Sequence, residues 1–469
     1  MGTADARSPG GDALLGADMT NENATKYEKA TRREFLARSA GVTAGLVSGL
    51  GLARPAHGAS NELRIGLVGC GGRGTGAVRD ALATRGPIRL VAMGDVFQDR
   101  LQRSVKTLSA AEGLGSAIDV PESRRFVGFN AYQKVLSTDI DIVLLATPPA
   151  FRPLHYAAAI AAGKHVFMEK PCCVDAPGYR LVMSTNQLAD AKGLKVVVGL
   201  QRRHQKSYLA GIKRVHGGEV GDIILMRTYF NMPGRGPNYD RRPATMTELE
   251  WQIRNWGMFT WLSGDHIVEQ AVHEIDIANW MKRDEPPVRA NGLGGRQARI
   301  GCGNGQIFDH HFVEYVYADG SRHYAQAKQQ QGGWMHVSDN VHGTKGTLTV
   351  GSGPYGMGGA ADYGRPADRG DGGDQTDHPY RQEHQDLVDA IRNGTPLNDG
   401  YHGATSSMTA IMGRMATYSG AEVTWNEAVN SKLALAPGLA ELSLSSSAPV
   451  LPAEEGDYPI AVPGATRAW

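Results

Sequence analysis

The stretch Gly264-Asp-His-Ile-Val-Glu-Gln-Ala-Val-His-Glu-Ile-Asp276 holds four groups able to move protons or bind ions: His266, Glu269, His273 and Asp276. Separations of three, four and three residues put them on one face if Gly264–Met281 is a helix. Two imidazoles and two carboxylates on one stripe are costly to bury unless they have a task. A carboxylate one turn from a histidine orients the ring and raises its basicity, which suits acid–base catalysis. Histidine and carboxylate on adjacent turns also fit a metal site. A solvated helix face is the plainest alternative. The His-x-x-Glu-x-x-x-His spacing departs from the common zinc-helix motif, so no metal is assigned from sequence.

A second cluster with chemistry lies upstream. The apolar run Ile65 to Val68 leads into Gly69-x-Gly71-x-x-Gly74, then into a helical pattern through Ala77, Val78, Ala81 and Leu82. Strand, glycine turn and helix in that order are what a dinucleotide fingerprint requires. Gly69 permits the tight turn, Gly71 lets a pyrophosphate approach the backbone, and Gly74 lets the helix pack on the sheet. The helix N-terminus offers free amides to the phosphates. Gly69, Cys70, Gly71, Gly72, Arg73 and Gly74 are therefore the expected phosphate loop. A second apolar run, Ile88 to Met93, ends at Asp95, 21 residues after Gly74. A carboxylate there binds the adenosine ribose and repels a 2′-phosphate, favouring NAD over NADP. Arg73 and Arg100 keep NADP open.

These residues need a parallel sheet to bring them together, and the alternation of runs supplies one. Helical patterns at Phe97–Ala110, Leu154–Ala162 and Asp175–Ala191 separate apolar runs at Ile140–Ala146, His165–Met168 and Lys195–Gly199. Repeated strand–helix units predict a doubly wound sheet whose functional residues gather at the strand carboxyl ends. Two more strand ends carry unusual residues: Thr147-Pro148-Pro149 and Glu169-Lys170-Pro171. Gln201, Arg202 and Arg203 follow the last parallel strand; they either reach the nicotinamide or substrate, or are solvated. His155 either neighbours the cofactor or caps a helix. Beyond about residue 220 the runs at Ile223–Phe230, Val288–Ala298, Phe308–Tyr317, His323–Gln331 and Thr347–Val350 alternate more, which predicts an open, mainly antiparallel sheet. Helices are expected at Gly264–Met281, Pro379–Asn393 and His402–Tyr418, and a Gly/Asp-rich loop at 352–376. Tyr229, Arg254, Asn255, Trp256 and Trp261 offer stacking and hydrogen bonds suited to a sugar ring, or are core. In Asp309-His310-His311 the two histidines of a strand face opposite ways.

Taken together, the glycine turn, Asp95, Glu169-Lys170-Pro171 and the histidine-bearing stretch resemble the Gfo/Idh/MocA oxidoreductases, over roughly residues 62–420. The resemblance implies an α/β chain: a Rossmann domain that binds NAD, or NADP, followed by an α/β domain whose open, mainly antiparallel sheet packs over the nicotinamide. Expected boundaries are a leader at 1–59, the nucleotide domain at 60–200, a substrate and oligomerisation domain at 201–430 and an irregular tail at 431–469. By the match, Lys170 binds and polarises the reacting hydroxyl and His273 takes its proton. Glu269 stands where most relatives carry aspartate, and Asp265 and Ala271 stand where glycines are common. Cofactor contacts are expected from the phosphate loop, Asp95, Thr147, Pro148, Glu169, Lys170 and Gln201. Substrate contacts are expected from Lys170, Tyr229, Trp256, His266, Glu269 and His273. The implied reaction is hydride transfer at a secondary hydroxyl of a sugar, cyclitol or glycoside. An NAD-dependent glycoside hydrolase, needing a further base such as Tyr229 or His266, and a non-catalytic sugar or nucleotide sensor are the alternatives. Fold analogy adds a homo-oligomer.

Bulk properties narrow the field. The 469 residues are enough for two cores, and a net charge of +1 gives no argument for a nucleic-acid partner. Four cysteines are too few for a disulfide framework. Thr31-Arg-Arg-Glu-Phe-Leu36, the small apolar stretch Ala40–Leu52 and Pro55-Ala-His-Gly58 resemble a Tat export signal. That stretch is too short and glycine-rich to span a membrane, and no later segment is long enough. Export of a folded, loaded protein implies a periplasmic or otherwise exported enzyme whose cofactor is tightly held and recycled in place.

Overall fold

Short aliphatic runs without a polar alternation become strands buried on both faces. The computed structural model describes residues 61–234, 236–238, 241–351, 378–454 and 456–469. The expected leader and its export signal, and the expected loop at 352–376, lie outside them. Strands β1 (Leu63–Val68), β2 (Ile88–Asp95), β3 (Arg125–Val127), β4 (Ile142–Leu145), β5 (His165–Met168) and β6 (Val196–Val198) form a sheet in the order β3-β2-β1-β4-β5-β6. All its pairings are parallel. This is the doubly wound order, and the switch point beside β1 is where ligands sit. Helices Gly72–Leu82, Gln98–Ser109, Ala131–Leu136, Arg152–Ala161 and Ala176–Ala191 cover it.

The second sheet holds β7 (Ile223–Met232), β8 (Arg289–Gly295), β9 (His310–Val316), β10 (Arg322–Gln329), β11 (His336–Gly343), β12 (Gly346–Val350) and β13 (Val423–Thr424), ordered β12-β11-β7-β10-β9-β8-β13. Every pairing is antiparallel except β7 with β10. Along β9, β10 and β11 buried residues alternate with part-exposed ones, so one face packs on helices and the other stays open. The long helix Gly400–Ser419 is buried along nearly its whole length. Gly403 lets it approach Val198 and Cys172, and Gly413 lets it approach Tyr315. Cys70, Cys172 and Cys173 are buried thiols.

One expectation needs correction. Gly264–Met281 is not one helix: a turn at His266–Glu269 is separated from Val272–Met281 by Gln270 and Ala271. Residues 431–469 are irregular but packed. Tyr458 stacks on Trp251 at 5.7 Å and meets Phe259 edge-on at 4.9 Å.

The two sheets are tied by charge. Arg203 forms a forked pair with Asp276 at 2.9–3.1 Å and reaches Asp284; Ser406 also donates to Asp276. Arg202 lies 2.6 Å from Glu274 and 3.2 Å from Asp339. Neither arginine is solvated or reaches a ligand cleft. Breaking a buried pair by removing one partner costs about 3–5 kcal/mol, because the other charge is stranded. We expect Arg203→Met to lose about that much in denaturant unfolding; a loss under about 1 kcal/mol would show the pair to be dispensable.

Candidate functional site

The glycine turn makes one wall of a cleft of about 1300 Å³. Gly69 sits at φ 99°, a conformation that favours glycine. A Cβ on Gly74 would lie 2.0 Å from the Gly69 carbonyl oxygen, so helix and strand could not pack. At Gly71 and Gly72 the same construction meets no atom within 4 Å, which leaves the backbone open to the cleft. Asp95 closes the ribose end. Its Oδ2 accepts the Cys70 amide at 2.7 Å and its Oδ1 the Phe97 amide at 2.9 Å. Burial raises its carboxyl above the ordinary range, against the pull of those two amides. Thr147 and Pro148 line the opposite side, with Thr147 Oγ1 3.2 Å from His155 Nδ1. A dinucleotide fits this set: an uncovered glycine backbone, a helix N-terminus and a fixed carboxylate.

Of three further expected contacts, Arg73 lines the cleft and Glu169 and Gln201 do not. Arg73 borders the cleft, but its guanidinium is held by Glu169, by Asp80 at 3.6 Å and Glu383 at 3.8 Å, over the Tyr380 ring at 4.8 Å. Glu169 is buried against that arginine and Gly199 and does not line the cleft. Gln201 is buried too, donating to Tyr380 at 3.2 Å. These charges answer one another instead of meeting a ligand.

At the end of β5 the chemical groups gather. Lys170 Nζ donates to the Glu269 carbonyl and lies 3.4 Å from Glu269 Oε1. In an unbroken helix that carbonyl would accept the His273 amide. Here the His273 amide turns to Gln270, 3.4 Å away, and the carbonyl is released to Lys170. His273 is buried, and its Nδ1 has no hydrogen-bond partner. Burial, then the positive charges of Lys170, Arg202 and Arg73, hold it well below the usual imidazole range. Glu269 also lines a second, small cavity of about 100 Å³ with His266, Gln270 and Gln329. Trp256 and Asn238 border both this cavity and the cleft.

Tyr229 is not brought to this place. It lies on the open face of the second sheet, edge-on to Trp334 at 5.7 Å and His336 at 5.2 Å. Trp261 is core, donating to Gln252 at 2.7 Å. Sequence inspection missed Arg152. Fully buried, it donates to the Pro171 carbonyl at 2.6 Å and to the Thr147 carbonyl, joining the ends of β4 and β5. Its only sequence signal was its place two residues before the helical run that starts at Leu154. The tail was missed as well: Leu439, Leu442 and Leu444 form part of the cleft wall.

Comparison with known proteins agrees with this fold. Residues 63–200 match GFO_IDH_MocA, an oxidoreductase family with an NAD-binding Rossmann fold. An inositol 2-dehydrogenase of Klebsiella pneumoniae (strain 342) is 24% identical over 224 residues, 48% of this chain and 56% of the relative. The chain thus spans about half the length of the curated relatives it matches. The structure of GenD2 from gentamicin A biosynthesis in complex with NAD aligns over 80% of this chain and 99% of its own, with TM-score 0.59 and 18% identity. The scyllo-inositol dehydrogenase of Lactobacillus casei with bound NAD(H) and scyllo-inositol aligns over 78% and 99%, with TM-score 0.57 and 20% identity. These two show the same fold.

Asp95 gives this site its test. We expect Asp95→Ala to weaken NAD binding about tenfold, roughly 1.4 kcal/mol, while NADP binding changes less. Calorimetry with both cofactors reads the ratio; an unchanged ratio would remove Asp95 from the ribose site.

Proposed function

We propose that the protein, whose residues 63–200 match the GFO_IDH_MocA oxidoreductase family, is an NAD-dependent oxidoreductase acting on a secondary hydroxyl of a sugar, cyclitol or glycoside. The observation that carries this is the meeting of Lys170 and Glu269 just past the end of β5, with buried His273 four residues after Glu269 and held well below the usual imidazole range by burial and the Lys170 charge. A nicotinamide dinucleotide in the cleft supplies the hydride acceptor. The protein supplies the rest. His273 accepts the hydroxyl proton: the O–H bond breaks and an N–H bond forms on the imidazole. The Lys170 ammonium stabilises the negative charge that develops on the oxygen. Glu269 orients Lys170 and faces the small cavity, where Trp256 offers an aromatic wall to a ring. Arg73 and Glu169 act as positioning residues beneath the phosphate loop.

A tightly held cofactor belongs to the same proposal, supported by the tail wall at Leu439–Leu444. So does an exported location, on the twin-arginine stretch alone. The hydrolytic alternative loses Tyr229 as its further base. No helix of the described residues is long and apolar enough to cross a membrane.

Lys170→Met should lower kcat about 10²- to 10³-fold, and His273→Gln about 10²- to 10⁴-fold, on an inositol and hexose panel, with NAD affinity kept. His273 works only when neutral, so protonation ends turnover as pH falls. Its lowered pKa places the acid limb of kcat/KM below about 6.5. Removing the Lys170 charge should move that limb upward. Variants that keep wild-type turnover would instead indicate a sugar-binding protein without catalysis.

We place a homo-oligomer contact on the open sheet face, where Leu293, Phe312 and Trp334 are exposed. Light scattering should report an assembly that Leu293→Glu with Phe312→Glu reduces to one chain. A monomeric wild type would contradict this.

A further inference from the structure

Beside the small cavity lies a cluster that the hydride-transfer reading does not use. Asp265, His266 and His311 are all buried, and each offers one ligand atom within 4.8 Å of the other two. His311 Nε2 is 3.4 Å from Asp265 Oδ2. The imidazole rings of His266 and His311 are 4.7 Å apart and inclined at 62°. Both nitrogens of His266 and Nε2 of His311 have no hydrogen-bond partner. Two orphaned nitrogens on His266, beside the Asp265–His311 contact, demand an explanation, since buried polar atoms are almost always paired.

The surroundings are built to hold these groups in place. Asp265 has φ 74°, directly after Gly264 at 79°. A non-glycine residue in that region is strained, and such strain gathers at functional sites. The strained backbone turns the carboxylate inward. There Oδ2 accepts the Phe308 amide at 2.9 Å and the Tyr418 hydroxyl at 2.6 Å, and Oδ1 accepts the His266 amide at 2.5 Å. His311 Nδ1 is paired with Thr417 Oγ1 at 2.9 Å, which leaves Nε2 as the free face of the ring. A metal-bound histidine normally has such a partner on its other nitrogen. Asp265 comes from the turn before the broken helix and His311 from β9, so the cluster joins two distant parts of the chain.

We propose that Asp265, His266 and His311 bind a divalent transition-metal ion, zinc first among them. Two imidazoles and one carboxylate are a zinc ligand set. For bonds of about 2.1 Å, tetrahedral ligands stand about 3.4 Å apart, which is the spacing found between His311 and Asp265. His266 borders the small cavity, so the fourth position faces it and takes water or a substrate oxygen. The ion would cross-link the turn carrying Glu269 to the second sheet.

The test uses the full chain, stripped with chelator, loaded with zinc and passed through a desalting column. About one zinc per chain should remain by mass spectrometry, and cobalt loading should give the visible bands of a four-coordinate site. His266→Gln should drop retained zinc to below about one-tenth, with near-UV circular dichroism unchanged. Thr417→Val should weaken zinc about 10- to 100-fold. His336→Ala, on the open face, should leave retention as it was. A folded wild type that retains no zinc, or a His266→Gln protein that retains as much as wild type, overturns the site. Neither result bears on NAD binding or hydride transfer, which are read separately.

Discussion

The Val272–Met281 helix is gripped from the end of β6 by two adjacent arginines, and the placement of His273 depends on that grip. Arg202 takes Glu274 and Arg203 takes Asp276, so two residues within the helix turn that follows His273 are both anchored. Buried pairs of this kind add little net stability over an apolar packing, because desolvation offsets attraction. What they provide is register. A shift of the helix would leave charges unpaired in the interior. The imidazole is thereby held where burial and the neighbouring cations keep it uncharged.

The same economy governs the helix break. A continuous helix would spend the Glu269 carbonyl on its own backbone. Ending the first turn at Glu269 releases that acceptor to Lys170, a residue of the other sheet. Arg152 does comparable work beneath, binding the Thr147 and Pro171 carbonyls with one guanidinium and so tying two strand ends together. The nucleotide wall, the lysine and the histidine are thus coordinated by backbone carbonyls and buried guanidiniums as much as by the sheet.

Some of this was legible in the chain and some was not. The glycine turn, Asp95 and five of the six parallel strands were, because their signals are local: spacing, missing side chains and unbroken apolar runs; the short edge strand β3 has none of these. Lys170 and His273 were singled out by type and by resemblance, and the fold brings their elements together. Arg202 and Arg203 were not resolved, since an arginine after a strand reads alike whether it meets water or a carboxylate seventy residues away. The break at Gln270 was invisible because the spacing from His266 to Asp276 suits one helix. Strand β11 escaped notice for a similar reason: its inward position Asp339 is polar, tolerated only because Arg202 and Tyr208 reach it. Tyr229 was an attractive stacking residue by type, but strand parity turned it to the open face.

The central claim is that this cleft positions a secondary alcohol so that its carbon-bound hydrogen moves directly to a bound nicotinamide. The most direct measurement is a single turnover with a cyclitol or hexose deuterated at its carbinol carbons, followed by mass analysis of the nucleotide released on denaturation. The account predicts one deuterium in the reduced nicotinamide, none acquired from deuterated solvent, and no transfer in the His273→Gln protein. Reduced nucleotide carrying solvent deuterium, or substrate turnover that leaves the nucleotide unlabelled, would contradict it.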